Sequence, residues 1–100
     1  MTGFEIVEEI EERVILVGVS TGESDDTNQS LDELEELAKT AGAVTVGRVI
    51  QNREQVHPGT YIGSGKIAEV QQLAYEVEAT GIICDDELTP AQLKNLEEEL

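Results

Sequence analysis

Val14-Ile15-Leu16-Val17-Gly18-Val19, residues 14–19, contains no polar side chain. Branched aliphatic residues follow one another without alternation. That pattern suits a strand covered on both faces, as in a parallel sheet, rather than one with a wet side. Such a strand needs helices on either face, and the residues beyond it carry helical patterns at regular intervals.

Downstream, Ser20 to Gln29 (S-T-G-E-S-D-D-T-N-Q) is polar and acidic and reads as a surface loop. Thr21-Gly22 follows a strand, but Glu23, Asp25 and Asp26 would repel a phosphate there. Ser30 and Glu33 match the S-x-x-E capping box and predict a helix starting at Ser30, with Leu31, Leu34, Leu37, Ala38 and Ala41 on its buried face. Gly42 is its natural stop. The carboxylates Asp32, Glu33, Glu35 and Glu36 read as a solvated helix face, since no loop geometry converges them on an ion.

A second strand is predicted over Ala43–Ile50, carried by Val44, Val46, Val49 and Ile50. Val46 and Val49 break the period of two at Gly47, which marks a bulge or a close backbone approach. After a long connection, roughly 51–63, with a His57-Pro58-Gly59 turn and a possible short strand at Tyr61-Ile62, a second helix opens at Gly63-Ser64-Gly65-Lys66. Its stripe is Ile67, Val70, Leu73, Ala74 and Val77, and Gly81 ends it. Ile82-Ile83-Cys84 forms a third strand. Asp85-Asp86-Glu87 follows at its carboxyl end, the edge where ligands sit in open α/β sheets.

The last helix has the clearest start. Thr89 caps it, Pro90 takes the first helical position, Gln92 completes a capping box, and Leu88 is placed to staple against Leu93. Leu93, Leu96 and Leu100 set its buried face. The pattern is still running at Leu100, which reads as a piece, or the first domain, of a longer protein. The order β-α-β-α-β-α therefore predicts an α/β fold, a small and mostly parallel sheet flanked by helices. Residues 13–100 form the domain, and residues 1–12 an acidic arm or edge strand.

Composition narrows the function. The chain has 22 acidic and 6 basic residues, a net charge of −16, which opposes any broad, sequence-independent grip on nucleic acid. No DNA partner is expected. Solubility and adaptation to high salt explain the acidity equally well. A lone Cys84 and a lone His57 allow neither an internal disulfide nor a zinc site. With no apolar run long enough for a bilayer and acids where a leader would carry bases, the chain reads as cytoplasmic and without a membrane span.

Against that background the window Gly47–Lys66 (G-R-V-I-Q-N-R-E-Q-V-H-P-G-T-Y-I-G-S-G-K) stands apart. It holds three of the six basic residues, Arg48, Arg53 and Lys66, and only one acid, Glu54. It is the place to expect an anion. The Gly63-Ser64-Gly65-Lys66 turn is not a P-loop: Thr60 stands where G-x-x-x-x-G-K needs its first Gly, and Ile67 replaces the hydroxyl that binds magnesium. Small residues, a Lys and free N–H groups at a helix start remain, and these can meet a phosphate. Tyr61 could stack on a base, or simply pack. Cys84 reads as inert core. No nucleophile or base stands at catalytic spacing, so no enzyme is expected in these residues alone.

Three blocks, G-R-V-I-Q-N-R-E (47–54), T-Y-I-G-S-G-K-I-A-E-V (60–70) and D-D-E-L-T-P-A-Q-L-K-N-L-E-E-E-L (85–100), resemble the N-terminal domain of the HflX-type GTPases in order and spacing. The resemblance covers residues 13–100. It implies a downstream GTPase domain that carries the P-loop, GTP and magnesium; no cofactor is expected in the present residues. It also implies a partner, the large ribosomal subunit and its rRNA, with Arg48, Arg53, Tyr61, Gly63, Ser64, Gly65 and Lys66 as the candidate contact. The alternative is a nucleotide-binding regulatory or enzymatic α/β domain built on the Gly63–Lys66 turn.

Overall fold

A computed structural model describes residues 11–21, 26–52 and 56–100. The arm or edge strand expected at the N-terminus falls outside them, except Glu11 and Glu12, and so do Glu23, Asp25 and Arg53. The element order is β1 (Glu12–Ser20), α1 (Thr27–Thr40), β2 (Ala43–Asn52), α2 (Ser64–Val77), β3 (Gly81–Cys84) and α3 (Pro90–Glu99). The three strands form one sheet in the order β2-β1-β3, and both pairings are parallel.

β1 is the central strand, as its unbroken apolar run requires. Its even-numbered residues Val14 and Leu16 pack with Leu31 and Ala38 of α1. Its odd-numbered residues Ile15 and Val17 pack with Val49, with Ile67 and Val70 of α2, and with Leu96 of α3. α1 therefore covers one face, and α2 and α3 the other. This is a three-layer sandwich in which successive side chains of β1 serve opposite cores.

The slip at Gly47 is a bulge. Val14 pairs with Thr45 and Ile15 with Gly47, so Val46 is skipped. A Cβ on Gly47 would lie 3.0 Å from Leu73 Cδ2, so the glycine also lets α2 approach the strand. Gly42, at φ 92°, follows the end of α1 as expected.

Several local expectations change. α1 begins one turn before Ser30, after Asp26, with no side-chain cap. Ser30 lies inside the helix, and its hydroxyl, instead of capping, donates to Asp85 Oδ1 at 3.0 Å. Leu37, expected inside, is 67% exposed, while Leu31 and Ala38 carry the contact. α2 ends at Val77, not at Gly81. Glu78 takes the left-handed conformation (φ 54°) and the Ala79 N–H donates to the Ala74 carbonyl, so Gly81 is free to open β3. Tyr61-Ile62 makes no strand, only a two-residue antiparallel bridge between His57 and Tyr61.

α3 starts as read: Thr89 Oγ1 accepts from the Gln92 N–H, and Gln92 Oε1 accepts from the Thr89 N–H. Its buried face differs. Leu96 and Gln92 are buried, whereas Leu93 and Leu100 remain 48% and 43% exposed beside an apolar groove of about 820 Å³ lined by α2, β3 and α3. No described helix is long and apolar enough to cross a membrane.

Candidate functional site

Among the described residues of the window 47–66, Arg48 and Lys66 do not share one patch. On β2, Arg48 pairs with Leu16 and so lies on the α1 face. There its guanidinium donates to Asp32 Oδ1 at 2.7 Å and to Glu35 Oε1 at 3.1 Å. Asp32 first, and Glu35 second, raise the guanidinium pKa above its ordinary value. Two carboxylates already hold this cation. Lys66 lies on the opposite side of the sheet, in the first turn of α2, with Nζ 2.8 Å from Glu69 Oε2. The structure thus places Arg48 and Lys66 on opposite sides of the sheet.

Of the two readings of Tyr61, the packed one describes its position. Its side chain is 1% exposed, and its hydroxyl donates to Asp86 Oδ2 at 2.7 Å. A ring buried against Ile62, Val49 and their neighbours has no free face on which a base could stack. Burial, then the bond to Asp86, raises the phenol's pKa well above its ordinary value.

Gly63, Ser64, Gly65 and Lys66 do come together, as the start of α2. Gly63 is the N-cap with an extended backbone, and no side chain caps the helix. The Gly63 N–H donates to Gln51 Oε1 at 2.8 Å, which ties the turn to the end of β2. Ser64 and Gly65 are exposed, and a Cβ on Gly65 would meet nothing within 4 Å. The result is an open helix start with a lysine beside it.

The loop leading to this edge is built around His57. Its Nδ1 accepts from the Gly59 N–H at 3.0 Å and the Thr60 N–H at 3.2 Å, which leaves Nε2 to carry the imidazole proton. His57 and Tyr61 exchange backbone hydrogen bonds at 2.9 Å in both directions. Two side chains of α3 reach the same turn: Gln92 Nε2 donates to the His57 carbonyl, and Asn95 Nδ2 to the Gly59 carbonyl, each at 3.0 Å. Neither role was legible beforehand. Gln92 is already explained by its cap, and Asn95 carries no local motif.

Between β1 and β3 lies the crossing point of the winding, where open α/β sheets take ligands. Here it is acidic and its hydroxyls are engaged. Asp85 accepts from Ser30, Asp86 accepts from Tyr61, and the Asp85 N–H continues the ladder to the Val17 carbonyl. That arrangement opposes a nucleotide phosphate. Cys84 sits beside it with its thiol pKa pushed up to about 11, by burial first and Asp86 second, which agrees with an unreactive thiol. Among the described residues no three His, Cys, Asp or Glu side chains gather as a metal site.

The domain is thus a parallel three-layer α/β sandwich with a glycine-rich, open helix start. Residues 28–100 match the family model described as GTP-binding GTPase N-terminal. The chain is 66% identical over 97 residues to the GTPase HflX of Lacrimispora saccharolytica, covering 97% of this chain and 23% of that protein. It is 46% identical over 89 residues to GTPase HflX of Alkalihalophilus pseudofirmus (88% and 21%). For GTPase HflX of Escherichia coli the figures are 30% over 86 residues (86% and 20%). The chain belongs to the HflX family, as its GTP-binding GTPase N-terminal domain. It spans between a fifth and a quarter of the length of these relatives.

Proposed function

We propose that this domain is a non-catalytic docking module that helps an HflX-type GTP-binding protein engage the large ribosomal subunit in the cytoplasm. GTP, magnesium and hydrolysis belong, on this reading, to a GTPase domain elsewhere in the full-length protein. The observation that carries the reading is the start of α2, with Ser64 and Gly65 exposed and no side-chain cap, in a family-matched chain whose net charge is −16. In so acidic a surface, a small exposed helix start is the feature best suited to a single rRNA phosphate. Arg53 remains a candidate contact on sequence grounds. Arg48 is set aside because two carboxylates hold it, against the single Glu69 beside Lys66, and Tyr61 because its ring is buried.

The test is co-sedimentation of full-length protein with large subunits over a range of salt. Gly65→Glu and Lys66→Ala should each weaken binding. Loss of one phosphate contact should flatten the plot of log affinity against log salt by roughly 0.7 to 0.9. Arg48→Ala serves as the control and should leave affinity and slope in place. Equal affinities and slopes for all three variants and the parent protein would sink the reading.

A further inference from the structure

α3 is joined to the rest of the domain in an uneven way. Leu96 enters the core, but on its β3 side Leu93 and Leu100 leave the groove unfilled. Its side-chain hydrogen bonds to the rest of the domain run the other way, to the turn after β2, while at its far end the Glu99 carbonyl accepts from Gln71 Nε2 of α2. Gln92 Nε2 and Asn95 Nδ2 hold the carbonyls of His57 and Gly59. These residues are separated by 35 and 36 positions, so the bonds are tertiary and not part of helix capping. Among the described residues the turn is also closed by its own bonds, the His57–Tyr61 exchange and the imidazole that accepts from Gly59 and Thr60, and the Tyr61 hydroxyl ties its far end to Asp86. Ile62 follows at once, fully buried, and then Gly63, the N-cap of α2.

We infer that Gln92 and Asn95 form a latch by which α3 sets the shape of the His57–Tyr61 turn and, through it, the presentation of the Gly63–Lys66 helix start. A displacement of α3, by whatever it is joined to or packs against, would then be felt at that edge, and an occupant of the edge would hold α3 in place. The reciprocity follows from linkage: each site biases the other by the same free energy. Both residues are positioning residues. The consequence for ribosome engagement rests on the docking reading given above, whereas the latch itself does not.

Gln92 has two jobs that can be separated. Gln92→Glu keeps an Oε acceptor for the Thr89 N–H, so the capping box survives, but it removes the Nε2 donor to His57. Asn95→Asp likewise removes the donor to Gly59 at an exposed helical position. Hydrogen exchange is measured residue by residue on the full-length double variant. The His57 and Tyr61 amides should exchange roughly three- to ten-fold faster, as loss of hydrogen bonds of ordinary strength implies. The Gln92 amide, which reports the cap, and the Asp85 amide, which reports the sheet, should not change. Unchanged exchange at His57 and Tyr61 overturns the latch, and so does equal acceleration at all four amides, which would indicate general loosening. Large-subunit affinity of the same variant is the second readout. If the turn loosens while affinity holds, and Gly65→Glu still weakens binding, the transmission to the edge is refuted and the docking reading stands.

Discussion

The hydroxyl of Tyr61 and the carboxylate of Asp86 lie 2.7 Å apart, joining the turn after β2 to the carboxyl end of β3 across 25 positions of sequence. Tyr61 makes this bond from a left-handed backbone with φ 71°, a conformation that costs a bulky residue about 1–2 kcal/mol. Burial of the whole ring offsets that cost.

Tyr61→Phe should keep the packing and lose the bond. Because Asp86 is exposed and can bind water instead, the expected loss is about 0.5–1.5 kcal/mol by denaturant unfolding. Tyr61→Ala should cost about 3–5 kcal/mol. The pH dependence follows from the same neighbourhood. Tyr61 and Cys84 both have raised pKa values in the folded state, so above their ordinary values of 10.0 and 9.0 the unfolded chain has released protons that the folded chain still holds. Stability therefore falls as pH rises. For Cys84 the fall runs between 9.0 and about 11, and for Tyr61 it begins at 10.0. The double variant Tyr61→Phe with Cys84→Ala should show a melting temperature flatter across this alkaline range than the parent; equal slopes would remove these two groups as the cause.

Gly47 and Leu73 provide a second test. Gly47→Ala places a methyl carbon 3.0 Å from Leu73 Cδ2, in a packed region, and should destabilise the domain by about 1–3 kcal/mol. In a Leu73→Ala background the same change should cost measurably less, since the obstructing atoms are gone. Additive costs in the double-mutant cycle would mean that the glycine serves the bulge alone and not the approach of α2.

Surface charge makes the third. With 22 acidic residues against 6 basic ones, repulsion opposes compaction. Melting temperature should rise from about 0.01 M to about 1 M sodium chloride, as the Debye length contracts from roughly 30 Å to roughly 3 Å. Arg48→Ala should cost about 0.2–1 kcal/mol at the low end and less at the high end, because screening weakens its pairs with Asp32 and Glu35. A second salt controls for specific ion effects, and a flat or falling melting temperature in both contradicts the charge argument.

The fold was legible wherever its cause is local. The unbroken run at Val14–Val19 announced a strand covered on both faces, Thr89-Pro90 announced the start of α3, and the broken period at Gly47 announced the bulge. Legibility failed where the deciding partner is remote. Ser30 heads a good capping motif, but Asp85, 55 positions away, takes its hydroxyl inside the helix. Arg48 and Lys66 share a linear window, yet alternation along β2 and the crossover into α2 send them to opposite faces. Tyr61 beside a glycine turn looks accessible until Asp86 and the core are in place. Of the candidate contacts among the described residues, Gly63–Lys66 form a continuous edge.

The placement of β1 between β2 and β3 also has a meaning in time. Val14 finds its β2 partner Thr45 soon after synthesis, but its other neighbour, Gly81, lies 67 positions later in the chain. At roughly 5–20 residues per second on the ribosome, the central strand waits several seconds with one edge bare. During that interval the most apolar segment of the domain is an open template for another nascent chain. The carboxylates crowded along α1, present from the moment that helix forms, give the half-made domain a like-charged coat against its own copies.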